Sequence, residues 1–363
     1  MAADWNNLPE ELLVEVLARL PVKGLLQYRS VCKAWLSLIS SRSFILTHLN
    51  HAAADPNNKT FIAHSYQVRS PNHRISLLRL DDLDNPVDLE HPFPNSVSPA
   101  EMEVVGSCNG LLCLTDPLGH IRLWNPAMRR VRDISDFAIR EVDSTGEVSV
   151  GFGHDRVSGD YKVVRIVWTS RSEKSPGRVE VYSFNQASWR EIDVEVDFEL
   201  IHGSCRVIVK GNPYWMALAH RWEVHKQFFV SFDVHNEVFS KIPWPDQCMN
   251  PNGRRQGYGT LTEFQESFAV AVGKYVEGRI LEVSIWVMDD NTGGECSWTK
   301  KISVGPILGV NRLVGCLKNG EIVGENSIER QLILCDSTTE EIKQTQVRIR
   351  TLGVHNYVES LVN

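Results

Sequence analysis

Residues 121–134 read IRLWNPAMRRVRDI. Apolar Ile121, Leu123 and Trp124 lead into the corner Asn125-Pro126, and a return run sets Val131 and Ile134 among Arg130, Arg132 and Asp133. This is the grammar of a β-hairpin, because Asn and Pro favour a turn whereas β-branched and aromatic residues suit a pleated surface. It recurs in LLRLDDLDNPVDL (77–89), VEVYSFNQASWREI (179–192), FVSFDVHNEVFSKI (229–242), VSIWVMDDNTGGECSWTKKI (283–302) and LILCDSTTEEIKQTQV (332–347). With Leu80, Trp124, Phe184, Phe232, Met288 and Cys335 as markers, successive copies stand 44, 60, 48, 56 and 47 residues apart. Repeats of about 40–50 residues are the period of four-stranded propeller blades. Residues 61–363 are therefore expected to form an all-β domain, a six-bladed β-propeller in which each blade covers its neighbour's apolar face and closure removes exposed edges. The closing strand is expected near Thr60–His64 or near Tyr357–Val362.

Ahead of this lies a stretch of another kind, LPEELLVEVLARLPVKGLLQYRSVCKAWLSLI (8–39). Pro9 with Glu10 and Glu11 suits a helix start, since the missing proline N–H costs nothing there and carboxylates complement the dipole. The first helix is expected from about Pro9 to Leu20, where Pro21 stops it. At about 100° per residue, Leu12, Leu13, Val16, Leu17 and Leu20 cover an arc of roughly 140°, wider than one minimal stripe. Leu25, Leu26, Val31, Cys32, Trp35, Leu36, Leu38 and Ile39 fit two more short helices. Around forty residues rarely sustain a core unaided: burying five such side chains yields about 10 kcal/mol gross, most of it offset by chain ordering. The patch therefore gains by packing against something else and reads as half of an interface. The expected organisation is a small all-α module at 1–50, a linker at 51–60 and the β domain at 61–363.

The whole chain has 363 residues, 42% hydrophobic and 23% charged, which is a globular composition. A net charge of −7 gives no broad footprint for nucleic acid, and Arg129-Arg130-x-Arg132 and Arg254-Arg255 are isolated. No apolar run approaches the ~20 residues of a membrane span, and the N-terminus does not read as a signal peptide. Eight cysteines without a C-x-x-C pair fit a reducing compartment, the cytoplasm or nucleus, where the sequon at Asn58 would go unused.

There is no Gly-x-Ser-x-Gly elbow, Walker loop or His-Glu-x-x-His. Gly159–Lys162 reads as a hairpin turn entering the strand YKVVRIVW rather than a phosphate loop. His48 with His51, and His220 with Glu223 and His225, lack a third ligand at zinc spacing and read as a solvated helix end or loop. Asp81-Asp82 and Asp289-Asp290 read as turn caps for backbone N–H groups. Trp168, Trp189, Trp215, Trp222, Trp244, Trp286 and Trp298 suit the apolar wedges between blades. No cofactor, metal or catalytic residue is expected.

The landmarks Leu8-Pro9, Val16-Leu17, Leu20-Pro21-Val22, Leu25-Leu26 and Val31-Cys32-Lys33-x-Trp35 together resemble the F-box, which binds the Skp adaptor of cullin-based ubiquitin ligases. The resemblance implies adaptor contact by Leu8, Pro9, Leu12, Leu13, Val16, Leu17, Leu20, Pro21, Val22, Leu25, Val31, Cys32 and Trp35. Further on, GSCNGLLCL with LWNP (106–126), GFGHDRVSGDYKVVRI (151–166), GNPYWMA (211–217), FDVHNEVFSKIPWP (232–245), IWVMDD with SWTKKI (285–302) and HNYVESLV (355–362) resemble, in order, the kelch-like F-box-associated domain of a large plant family. His154 stands where that signature more often has an aromatic residue. The resemblance implies a non-catalytic substrate receptor of an SCF-type ubiquitin ligase, with a Skp-family adaptor, cullin and RING subunits as partners, and no nucleic acid or membrane. It leaves the target protein unspecified. The alternative is a stand-alone propeller that binds carbohydrate or acts as an enzyme, with the N-terminal helices as a cap.

Overall fold

Pro9 and Pro21, both extended with ψ of 141° and 150°, are the N-caps of helices α1 (Glu10–Leu17) and α2 (Val22–Tyr28). A computed structural model describes residues 9–55, 59–66, 73–90, 92, 102–116, 119–139, 146–168, 177–201, 205, 207–219, 227–249, 257–276, 279–289, 296–307, 310–326, 328–347 and 350–363. The first helix ends three residues before the expected Leu20. Arg19 N and Leu20 N donate to Val16 O at 3.3 Å and Leu17 O at 3.0 Å, a tighter i→i+3 turn that lets Pro21 start the next helix at once. Two helices were expected after Pro21, and the described residues hold three. Ser41 is extended between α3 (Lys33–Ser40) and α4 (Arg42–Ala54), and its Oγ caps the latter by accepting from Phe44 N at 3.2 Å. The α4 helix runs on to Ala54, into the stretch read as linker.

The β domain is a six-bladed propeller. In chain order its strands are β1 (Thr60–Tyr66), β2 (His73–Arg79) and β3 (Asp82–Leu89); β4 (Glu103–Cys108), β5 (Leu111–Thr115), β6 (Ile121–Asn125) and β7 (Arg130–Asp133); β8 (Glu147–Asp155), β9 (Asp160–Trp168), β10 (Arg178–Ser183) and β11 (Ser188–Ile192). Then come β12 (Glu199–Leu200), β13 (Val207–Val209), β14 (Asn212–Leu218), β15 (Gln227–Asp233) and β16 (Val238–Ile242); β17 (Tyr258–Phe264), β18 (Ser267–Val276), β19 (Arg279–Asp289) and β20 (Ser297–Val304); β21 (Arg312–Cys316), β22 (Ile322–Asn326), β23 (Gln331–Cys335), β24 (Ile342–Gln344) and finally β25 (Arg350–Asn356). Strands β1–β3, β4–β7, β8–β11, β12–β16, β17–β20 and β21–β24 belong to six antiparallel sheets. The first is completed by β25, in the order β25-β1-β2-β3, and in the fourth both β12 and β13 pair with β14. All six recurring hairpins of the sequence occupy the third and outermost strands of a blade.

The ring closes by pairing β25 with β1, from Phe61 opposite Asn356 to Tyr66 opposite Arg350. Thr60–His64 thus lies in one of the two closing strands. Tyr357–Val362 does not form the other: Tyr357 N still donates to Thr60 O at 3.2 Å, but its successors leave the sheet. The innermost strands β25, β4, β8, β17 and β21 pass around the axis, and blade four meets its neighbours through β13 and β14. They enclose a cavity of about 280 Å³ whose lining includes His64, Glu103, Glu263, Arg312 and His355. Close approach of blades three and four needs Gly151, where a Cβ would come within 2.3 Å of the Trp215 ring.

The polar turns follow one rule. Asp233 Oδ1 accepts from His235 N and Asn236 N at 2.8 and 3.0 Å, and Asp336 Oδ1 from Thr338 N and Thr339 N at 2.8 and 3.0 Å. A side-chain oxygen here replaces the missing backbone partners of the turn. Asp81 instead pairs with Arg79, and Asp289 Oδ2 accepts from the Ser297 and Thr299 hydroxyls at 3.0 and 2.9 Å. Asp290 lies outside the described residues. One buried ion pair, Arg165 with Glu180, ties the connection after blade two onto blade three: Ile139 N donates to Glu180 at 2.8 Å, Arg165 donates to Ile139 O at 3.1 Å, and the guanidinium lies 4.1 Å from the Phe137 ring centroid.

Candidate docking surfaces

The motif residues of the helical module divide by the way their side chains face. Leu17, Val22 and Leu25 are buried with Ala18, Ile39 and Phe44 in the module's own core. Leu13, Leu20 and Trp35 are half-buried against that core. Pro9, Pro21 and Cys32 are exposed, as are Leu12 at 51%, Val16 at 49% and Val31 at 61%. Leu8 lies outside the described residues. The contact residues implied by the resemblance leave out Tyr28 and Leu36, exposed at 39% and 47%, although Leu36 belongs to the second apolar set of the sequence. Leu36 follows Trp35 one helical step round, so the period of α3 could have marked it as outward.

Local structure accounts for the landmarks. Cys32 is the N-cap of α3, its Sγ accepting from Trp35 N at 3.5 Å, and Trp35 meets Tyr28 edge to face with ring centroids 5.5 Å apart. Arg29 reaches across to Ile39 O at 3.5 Å, and its burial lowers its pKa from the usual arginine value. Arg19 pairs with Glu15 at 2.5 Å, and that hydrogen bond holds the Glu15 carboxyl below its ordinary value. Arg19 and Glu15 thus form one internally satisfied pair beside the apolar set.

The module is seated on the propeller rather than tethered beside it. Met128 and Leu361 complete its core, and Ile45 packs against both that core and the core of blades two to four. Arg42 donates to Ser158 O at 2.9 Å in the β8–β9 turn. The C-terminal residues run between the two bodies. Asn125, of the LWNP signature, donates to Ser360 O at 3.0 Å and Val362 O at 2.7 Å, while its own Oδ1 accepts from Met128 N at 3.1 Å. Gly110, at φ +80°, leaves room for Ser360, whose Oγ a Cβ would meet at 2.4 Å.

Because adjacent strands are antiparallel, each blade's first-to-second and third-to-fourth turns share one face of the ring. That face carries the module. The opposite face holds the second-to-third turns and the connections between blades, and on it Tyr258 is exposed at 69% and Ile328 at 87%. Asp116 is buried there and accepts from His120 N at 2.9 Å and pairs with the His120 ring at 2.8 Å.

Other candidates are absorbed by the fold. His48 is a core histidine: its Nε2–H donates to Leu20 O at 3.0 Å, its ring stacks on Phe44, and burial lowers its pKa. His154 fills its aromatic site by lying 4.6 Å from the Tyr161 ring centroid. Arg132 lies over the Phe184 ring at 3.8 Å. Trp215 and Trp244 are buried, and Trp168, Trp189, Trp286 and Trp298 pack half-buried on blade cores. Trp222, His220, Glu223, His225, Asn58, Arg254 and Arg255 lie outside the described residues. None of the eight cysteines is in a disulfide, and burial pushes the Cys108 and Cys316 thiols up to about 12. Among the described residues no group of three His, Cys, Asp or Glu could hold a metal ion, and no helix is long and apolar enough to cross a membrane.

Comparison with known proteins matches the F-box domain to residues 5–47 and the F-box associated beta propeller domain to residues 63–362. An F-box/kelch-repeat protein of Arabidopsis thaliana is 27% identical over 309 residues, spanning 82% of this chain and 80% of its own. An F-box protein of the same plant is 26% identical over 326 residues, spanning 84% of this chain and 74% of its own. Among solved structures, TolB from Acinetobacter baumannii superposes on 87% of this chain and 73% of its own, with a TM-score of 0.47 and 9% identity, too slight a likeness to argue from.

Proposed function

This chain belongs to the F-box proteins that carry an F-box associated β-propeller domain, and we propose that it is the substrate receptor of an SCF-type ubiquitin ligase. The helical module docks on a Skp-family adaptor, and cullin and RING subunits are recruited through that adaptor. One observation carries this reading: a module whose core is already filled by Leu17, Val22, Leu25 and Ile39 still turns Leu12, Val16, Val31 and Leu36 outward. Pro9, Pro21 and Cys32 flank them, with Leu13, Leu20 and Trp35 half-buried beneath, and Leu17, Val22 and Leu25 act by holding the helices in place.

The propeller holds the target on the face away from the module, where Tyr258 and Ile328 are exposed. A receptor of this kind needs no nucleophile. It raises the effective concentration of a target lysine beside a charged ubiquitin-conjugating enzyme, and transfer is carried out by other subunits. A reducing compartment, cytoplasm or nucleus, suits its eight cysteines, none of them in a disulfide.

The test is binding of the purified chain to a Skp-family adaptor by calorimetry. Leu12→Glu with Val16→Glu is expected to weaken binding at least about a hundredfold, as loss of central apolar anchors does, without altering the circular dichroism spectrum. Unchanged affinity would refute the docking surface. Hydrolase or ubiquitin-transfer activity in the pure chain, abolished by changing one His, Cys or Asp, would refute the receptor reading itself.

A further inference from the structure

No helix or strand follows Asn356, yet Tyr357, Ser360, Leu361 and Val362 are all buried, at 3%, 0%, 0% and 9% exposure. A coil segment is rarely buried unless each of its residues has a separate partner to satisfy it. Here the partners belong to different bodies. Tyr357 packs into the core shared by blades one and two, and its backbone N–H donates to Thr60 O at 3.2 Å. Leu361 enters the core of the helical module, and Val362 enters the core of blades two to four. Between these anchors, Ser360 is clamped by Asn125 over Gly110.

We infer that residues 357–363 are a strap that fixes the angle of the helical module on the ring. Its position in the chain makes the strap separable from ring closure, because β25 ends at Asn356 and makes its strand pairs with β1 before the strap begins. Without Leu361 the module keeps its covalent link through residues 55–60 and its contacts at Ile45, Met128 and Arg42, but loses the one side chain that the tail places in its core. Ring and module then become two bodies joined by a hinge. If the receptor reading above is right, the strap sets the distance between a bound target and the adaptor. The inference itself concerns only this chain, and its test needs neither partner.

Hydrogen exchange of the full chain is compared with Leu361→Ala and with a chain ending at Ser360. In both variants, amides of α1–α4 are expected to exchange about tenfold faster or more, as a packed unit does on losing a buried anchor. Amides of β1 and β4–β6 should keep their protection. Unchanged exchange in the helices of both variants would overturn the strap. Equal acceleration in helices and ring would overturn it too, since the tail would then be part of ring closure. A truncated chain that fails to fold counts as the second outcome, provided that Leu361→Ala accelerates β1 equally.

Discussion

The helical module and the ring handle apolar surface in opposite ways. In the ring, Leu112, Leu114, Phe152, Phe229 and Phe232 are fully buried where blades meet, and among the described residues the large aliphatic side chains left exposed lie on outermost strands, as Val87, Val131 and Val238 do, or in turns and connections, as Ile328 does. In the module, Leu25 and Ile39 are as deeply buried, yet Leu12, Val16 and Val31 stay about half exposed or more. Closure explains the difference. A ring has no end blade, so its sheets can satisfy one another completely, whereas a bundle of four short helices has more apolar arc than partners. What remains uncovered in the module is the surface on which the proposed adaptor docking rests.

The largest effect that would sharpen this contrast is expected from ending the chain at residue 349. Removing β25 leaves β1 with a bare edge and uncovers Phe61 and Ala63. The ring should lose its cooperative thermal transition, or melt at least about 10 °C lower, as loss of several kcal/mol does in a large domain. A transition unchanged in calorimetry would break the claim that closure covers the ring.

Next comes the buried charge. Glu180→Ala strands Arg165 without its carboxylate and should cost about 3–5 kcal/mol in denaturant unfolding. Replacing both residues by methionine should recover much of that loss. A cost below 1 kcal/mol for the single change would mean that water reaches the pair.

Within the module itself, Leu25→Ala should destabilise by about 2–5 kcal/mol, while Leu12→Ala should stay within about 0.5 kcal/mol. Equal costs would erase the distinction between inward and outward leucines on which the docking surface rests.

The smallest effect is a pH dependence. Burial holds His48 below its ordinary value of 6.5, although the Leu20 carbonyl opposes the shift. Burial, with Arg156 beside it, does the same to His154. The unfolded chain takes up these protons near pH 6.5 and the folded chain only below it, so stability is complete above that pH and declines as pH falls through the folded values. His48→Gln should flatten the decline in unfolding midpoint below pH 6.5, and an unchanged slope would remove His48 from the account.

Much of this was legible because one hairpin type recurs. The IRLWNP unit announced the third and outermost strand of every blade, since an edge strand alternates apolar and charged residues and its Asn or Asp turn has a chemical signature. The innermost strands are less regular. The one in blade four is split into β12 and β13, and no repeat marks it. Of the two places expected for the closing strand, Thr60–His64 lies in β1 and only Tyr357–Val362 fails, for a related reason: Tyr357, Leu361 and Val362 are apolar enough for a strand, but three separate cores claim them. The motif likewise could not divide the 140° arc of α1, because Leu13 and Leu17 differ from Leu12 and Val16 only in the direction they face once Pro21 has turned the chain.

Gly151 carries a consequence for the ring as a whole. Any side chain there would have to push Trp215, and blade four with it, outward from blade three. An open stack of sheets could absorb that by ending a little further away. A closed circle of six has a fixed circumference, and a wedge driven into one joint must be taken up by narrowing the other five or by parting β25 from β1.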